Sequence, residues 1–241
     1  MQPEAPGAAT VAVIADAHLG GPGGDGEPLL RQIGELVGGG CRHLLFMGDL
    51  FHVWVGDARY ETPEIATVIA ALRSWRQQGV RIDYVEGNRD FFLVGSEYED
   101  AFDRIATEIA LEVAGTRVLA VHGDGLNESD WRYRFWRWAS KSLVSRFFVR
   151  RLPGALARRV VHGTEQRLSK SNFRHKNRIP ENVIRSYAER RLAEGHDVLL
   201  LGHFHEPRRW PVDGGEVRIV DAWYNDDCID LLPEVLACSP S

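Results

Sequence analysis

Seven side chains with metal-ligand chemistry fall in five short clusters between residues 16 and 205. They are Asp16 and His18 in AVIADAHLG, Asp49 in FMGDLF, Asn88 in EGNRDFF, His122 in AVHGDG, and His203 with His205 in LLGHFHEP. Carboxylates, a carboxamide and imidazoles, with no thiolate among them, suit Mn, Fe or Zn, and these donors alone do not separate the three. Seven donors exceed the needs of one tetrahedral ion. They suit two ions about 3.5–4 Å apart that share a bridging carboxylate, the spacing for in-line attack on phosphorus. Each cluster alone has an ordinary explanation. An Asp-x-His can be a helix cap, and a Gly-Asp is usually a turn in which Gly supplies positive φ and Asp bonds its own backbone. It is the set, in this order, that argues for a site.

The elements that must position these residues are legible too. Four clusters follow directly on an apolar run: TVAVIADAH, HLLFMGD, VLAVHGD and DVLLLGHFH. A short apolar run bounded by Gly and polar residues reads as a buried strand. Ligands in open α/β sheets bind outside the carboxyl ends of the strands, so polar clusters distant in sequence can converge there. The pattern predicts strands over 10–15, 42–47, 80–85, 108–113, 116–121, 197–201, about 207–212, 216–222 and 227–231. Ala114-Gly115 and Asp213-Gly214-Gly215 read as hairpin turns. Helices are expected over 28–38, from Thr62 and Pro63 to Gly79, briefly over 97–104, and through most of 129–194, with Pro180 opening the last. This order predicts an α/β fold of two packed mixed sheets flanked by helices. The basic helical stretch at about 129–178 interrupts the β/α alternation and reads as a cap inserted into a single domain of residues 1–241.

The order D-x-H, G-D, G-N, H-G, G-H-x-H resembles the calcineurin-like metallophosphoesterases over residues 11 to 205. GDLFHVWVGD, EGNRDFFLVG and HGDGLNESDWRY resemble, more narrowly, the UDP-2,3-diacylglucosamine hydrolases of lipid A biosynthesis. Arg89 is the telling residue, because many metallophosphoesterases carry His after the motif Asn and this subgroup carries Arg. The chain departs from the subgroup's usual residues at His52 and Phe204. The resemblance implies the sandwich fold with a helical cap, and two Mn²⁺ ions. Asp16, His18, Asp49 and His205 would hold one ion, and Asp49, Asn88, His122 and His203 the other, with Asp49 bridging. It implies hydrolysis of the substrate's pyrophosphate to UMP and 2,3-diacylglucosamine 1-phosphate. Asn88, Arg89 and His203 would serve catalysis. Asn88, Arg89, Asp130 and Tyr133 would contact substrate, with Ser169, Asn172 and Lys176 of SKSNFRHK in the cap. A guanidinium at Arg89 matches phosphate oxygens bidentately. Asp90 and Asp124 are expected to brace loops rather than to react.

Charge is unevenly spread. Residues 131–178 hold fourteen Lys or Arg against the single acid Glu165, a balance of +13, whereas the remainder of this −5 chain carries −18. Such a block marks a surface for anions. Its first helix carries Trp131, Phe135 and Trp138 at steps of four and three, with Trp136, Leu143 and Phe147 beside them. Three readings fit. The aromatics pack on the main domain, or sit in a membrane interface with Arg on anionic head groups, or join the basic residues in binding nucleic acid. The resemblance favours the first two, a cap that shelters acyl chains beside a membrane. The alternative function is another metallophosphoesterase, a phosphodiesterase or nuclease whose basic insertion holds nucleic acid. Three Cys without metal spacing suit a reducing compartment. MQPEAPGAAT shows neither a basic nor an apolar leader region, and no apolar run reaches about 18 residues. The expectation is a cytoplasmic protein, peripheral on the cytoplasmic face of the inner membrane, that takes an acylated UDP-sugar, binds no nucleic acid and has no transmembrane segment.

Overall fold

The computed structural model describes residues 10–21, 24–127, 129–151 and 180–232. Two five-stranded mixed sheets face each other. The first runs β12 (Asp230–Leu232), β1 (Val11–Ile14), β2 (His43–Phe46), β4 (Arg81–Val85), β6 (Arg104–Ala106). Its strands are parallel except β12, which pairs antiparallel with β1. The second runs β10 (Arg208–Val212), β11 (Gly215–Ile219), β9 (Val198–Leu201), β8 (Thr116–Val121), β7 (Glu108–Val113). Its three inner strands are parallel and both edges antiparallel. A small parallel ribbon joins β3 (Trp54–Val55) to β5 (Asp90–Phe91).

The inner strands are apolar on both faces because both are covered, and period-two alternation divides their side chains between layers. In β1, Val11 and Val13 point to the inter-sheet core, while Ala12 and Ile14 point to the outer layer. That layer is closed by α1 (Gly26–Gly38) and α2 (Pro63–Gln77) through Leu29, Ile33, Ile65 and Leu72. In β9, Val198 and Leu200 face the first sheet, and Leu199 and Leu201 face α5 (Glu181–Leu192) through Ile184, Ala188 and Leu192. Thr62 caps α2 as expected, its hydroxyl accepting from the Ile65 amide at 3.2 Å. Ala114 and Gly115 both take positive φ (50° and 81°), the turn that lets β7 and β8 pair as a hairpin.

Two expected elements are cut short. The region 97–104 forms a single tight turn, Glu99–Ala101, and then enters strand β6. Tyr98 and Phe102 are buried against Trp54, ring centroids 5.7 and 6.0 Å away, and β6 gains backbone pairing with β4. The expected strand over 216–222 stops at Ile219. Four residues, Trp223–Asp226, wind into a short helix, α6, because the Trp223 amide bonds Ala15 O at 2.9 Å instead of a sheet neighbour.

The start of the expected cap forms α3 (Trp131–Ser140) and α4 (Leu143–Arg151). Here the packing expectation fails. Trp131, Phe135 and Trp138 are 68%, 61% and 68% exposed, and Phe147 and Phe148 are exposed as well. The polar face docks instead. Arg137 and the Tyr133 hydroxyl (2.6 Å) both reach the buried Asp124 carboxylate, Lys141 Nζ donates to Gly87 O at 2.9 Å, and Arg146 donates to the Val94 and Gly95 carbonyls. A buried carboxylate and loop carbonyls need donors, and the Tyr, Arg and Lys face supplies more of them than the aromatic one. Ser169, Asn172 and Lys176 lie outside the described residues, as does the rest of 152–179.

Candidate metal centre

The carboxyl ends of β1, β2, β4, β8 and β9 deliver five loops to one place. Asp16 and His18 follow β1, Asp49 follows β2, Asn88 follows β4, His122 follows β8, and His203 and His205 follow β9. Backbone bonds lace the loops together: His18 N to Asp49 O (3.0 Å), Asp16 N to Gly48 O (3.3 Å) and Gly202 N to His122 O (3.1 Å). The chain must turn sharply to aim each side chain inward. Asp16, His18, Asp49, His203 and His205 all adopt left-handed backbone, φ 49° to 68°. That conformation is uncommon for residues with a Cβ, and the surrounding contacts must hold it. Glycine is required at Gly48 (φ 90°), where a Cβ would lie 2.6 Å from the Gly87 amide, and at Gly87, where one would strike the Asp49 carboxylate.

Two donor groups result. Asp16, His18 and His205 form one; Asp16, Asp49 and His122 form the other. In the first, His18 Nε2 and His205 Nε2 lie 3.2 Å apart, and the same His205 nitrogen lies 3.2 Å from Asp16 Oδ1. Convergence of two imidazole nitrogens and a carboxylate oxygen is a donor set suited to a cation. In the second, His122 Nδ1 donates to Met47 O at 2.7 Å, which aims Nε2 at Asn88 Oδ1 (3.2 Å) and Asp49 Oδ2 (3.8 Å). The backbone carbonyl thus sets the ring orientation a ligand needs. His203 packs its ring 5.0 Å from that of His122, and its amide donates to Asp16 Oδ2 at 2.7 Å. Asp16 is common to both groups by distance, whereas the resemblance puts Asp49 between the ions.

The electrostatics follow burial. Burial opposes charge on Asp16, but the His205 hydrogen bond and the nearby imidazoles hold its carboxyl far below the usual carboxylate range. Burial pushes the Asp49 carboxyl up. Burial and then the neighbouring His122 press His203 down to about 3, leaving it a neutral imidazole. Asp90 is a hub beneath the site. Its Oδ2 accepts from the Gly87 amide (2.7 Å), the Tyr84 hydroxyl (2.9 Å) and the Asp49 amide (3.1 Å). Burial and then the Asp49 charge push it up to about 7. Arg89 is buried, its amide donating to Asp49 Oδ1 (2.9 Å), its Nε 3.5 Å from Asp49 Oδ2 and its Nη1 donating to His52 O (3.1 Å).

The expected substrate residues divide. Asp130 is exposed and caps α3 by accepting from the Tyr133 amide at 3.0 Å. Tyr133 spends its hydroxyl on Asp124. Burial works against charge on Asp124, yet the Arg137 guanidinium and then His122 and His203 hold its carboxyl well below the usual range. Sequence reasoning missed three neighbours. His52 and Tyr224 abut His18, with ring centroids 6.2 and 5.9 Å away, and Lys141 reaches Gly87 O. His52 had a signal, as a departure from the subgroup. Lys141 and Tyr224 had none, because only the tertiary fold brings them near.

A sandwich of two mixed sheets with a His, Asp and Asn cluster at the ends of five strands defines a metallophosphoesterase, a hydrolase. No protein-family model matches the chain. Curated relatives do. UDP-2,3-diacylglucosamine hydrolase of Pseudomonas putida is 30% identical over 219 residues, covering 86% of this chain and 88% of the relative. That of Ralstonia nicotianae is 32% identical over 199 residues, covering 76% and 72%. That of Aeromonas salmonicida is 29% identical over 235 residues, covering 94% and 89%. The chain belongs to the UDP-2,3-diacylglucosamine hydrolase family. Among solved structures it is similar to an Aquifex aeolicus protein of unknown function (TM-score 0.47, 15% identity, 94% of this chain and 97% of that one). It is also similar to an archaeal phosphodiesterase (TM-score 0.43, 14% identity, 94% of each chain).

Proposed function

We propose that the chain hydrolyses the pyrophosphate of UDP-2,3-diacylglucosamine to UMP and 2,3-diacylglucosamine 1-phosphate, the lipid A step for which its relatives are named. The observation that carries this reading is Arg89, buried in the family's Gly-Asn-Arg-Asp loop with its guanidinium beside Asp49. Asp16, His18, Asp49 and His205 would hold one Mn²⁺, and Asp49, Asn88, His122 and His203 the other. The converging donors described above support divalent metal. When bound, the ions lower the pKa of a water and neutralise phosphate oxygens. The chain's own groups do the rest. Asp90 fixes the Asn88–Arg89 loop through the Gly87 amide, so the carboxamide and guanidinium are aimed before substrate arrives. Arg89 then clamps a phosphate oxygen and adds charge where it develops on phosphorus. His203, kept neutral by burial, stays an available donor across the physiological range. Asp130 caps α3, and Tyr133 acts through Asp124.

The exposed aromatic face of α3 and α4, on a segment of +13, supports an acyl-chain cap that rests on an anionic inner leaflet from the cytoplasmic side. No helix among the described residues is long and apolar enough to cross a membrane. The test is incubation of the Mn²⁺-loaded chain with UDP-2,3-diacylglucosamine in water enriched in heavy oxygen, with products read by mass spectrometry. Release of UMP is expected, and the labelled product identifies the phosphorus attacked. An intact lipid, together with hydrolysis of DNA or cyclic nucleotides, hands the site to the phosphodiesterase or nuclease reading.

A further inference from the structure

The two donor groups of the metal centre have different neighbours. The cap meets the second group: Lys141 donates to Gly87 O beside Asn88, and Arg137 and Tyr133 hold Asp124, two residues beyond His122. The first group, Asp16, His18 and His205, is bordered by α6. That short helix is pinned to the ligand loops. The Trp223 amide donates to Ala15 O (2.9 Å), the Tyr224 amide to Asp16 O (3.4 Å), and Asn225 Nδ2 to His205 O (2.9 Å). Trp223 is buried, and its indole donates to Gln32 Oε1 at 3.2 Å. On this rigid base the Tyr224 ring stands 5.9 Å from the His18 ring at 75° and is 44% exposed. An aromatic ring held over a polar site and open to solvent adds little to a core. It offers a face on which a planar group can stack.

A UDP-sugar carries chemically unlike ends on its pyrophosphate. The segment with the exposed aromatics docks beside the second donor group through its polar face, which puts the acylated sugar on that side. The nucleoside then extends toward the first. We infer that Tyr224 is the platform on which the uracil ring of the substrate stacks, a specificity residue; the inference rests on the functional reading above. Every base has a π face, so such a platform senses whether a base is present more than which base it is.

The test compares UMP with ribose 5-phosphate, which lacks the base, as inhibitors of the Mn²⁺-loaded full chain turning over UDP-2,3-diacylglucosamine. Tyr224→Ala and Tyr224→Leu should each weaken UMP inhibition by roughly 10-fold, leave ribose 5-phosphate within about twofold, and find rescue in Tyr224→Phe, which keeps the ring face. Two results overturn the inference. In one, UMP inhibits the Tyr224→Leu variant as well as it inhibits Tyr224→Phe, so that bulk and not aromaticity matters. In the other, both inhibitors weaken alike in Ala and Leu, as a general disturbance of the metal loops would produce. Failure of the functional reading is separately visible, because the unsubstituted chain then leaves the lipid intact and the platform falls with it.

Discussion

Asp16 and Asp49 show how much a single carboxylate decides. Both are buried, both adopt left-handed backbone, and both lie near His122. Distance makes Asp16 the member common to the two donor groups, and the family resemblance makes Asp49 the bridge. The two assignments differ in outcome. If Asp49 bridges, Asp49→Ala removes a ligand from both ions and exposes their mutual repulsion, so it should retain less Mn²⁺ per chain than Asp16→Ala. Its activity should fall by more than the roughly 10–100-fold typical of losing an outer partner of a ligand. Metal analysis of the two purified variants checks this: equal metal content counts against Asp49 as the bridge, and reversed content moves the bridge to Asp16.

At the scale of elements, α3 turns an amphipathic expectation inside out. Its aromatic residues recur at helical spacing, the usual mark of a packed face, yet they face outward. The docked face is the one with Tyr133, Arg137 and Lys141, because Asp124 and the Gly87 carbonyl offer it charge and hydrogen bonds. On the proposed function, the exposed aromatic face takes acyl chains or lipid. Replacing Trp138 and Phe147 together by Ser should reduce kcat/KM on the diacylated substrate by roughly 10-fold or more, given about 1.5–3 kcal/mol per aromatic side chain buried on binding. Turnover of an unacylated nucleotide-sugar analogue should barely change. Equal losses on both substrates, with the circular dichroism spectrum unaltered, would reduce the helix to a packing element.

For the molecule as a whole, one polar cluster away from the metal centre links stability to pH. Asp83 in β4 is fully buried and receives His43 from β2 (3.0 Å), Arg104 from β6 (3.0 Å) and Arg81 from its own strand (3.1 Å), all on Oδ2. Burial alone would raise its pKa, but the His43 hydrogen bond and the two guanidinium groups lower it from 3.8 to about 2. A carboxyl depressed in the folded state contributes stability above its unfolded pKa and loses it as pH falls through the folded one. The window is therefore about pH 4 down to about pH 2. In Asp83→Asn the pH-dependent loss of stability across that window should shrink by about 1 kcal/mol, a figure discounted for the solvent-exposed Arg81 and Arg104. Urea unfolding at a series of acidic pH values measures it. An unchanged slope would show that His43 and the two guanidinium groups do not act through Asp83.

Local chemistry made much of this legible in one dimension. The inner strands announce themselves as apolar runs because both sheet faces are covered, and the candidate ligands follow them because the open ends of parallel strands are where a polar residue can sit beside a buried core. Thr62, Ala114-Gly115 and Asp213-Gly214 carry their cap and turn chemistry within a few residues, so they read correctly without the fold. What only the tertiary structure decided depends on partners far along the chain. The expected helix over 97–104 yielded to burial of Tyr98 and Phe102 on Trp54 and to pairing of β6 with β4. The left-handed backbone of five candidate ligands is imposed by the crossing of the β1, β2 and β9 loops. Tyr224 stands beside His18 because Trp223 bonds Ala15, a contact spanning more than two hundred residues. A sequence carries its propensities residue by residue, but the closing of long loops selects which groups meet, and no spacing rule records that selection.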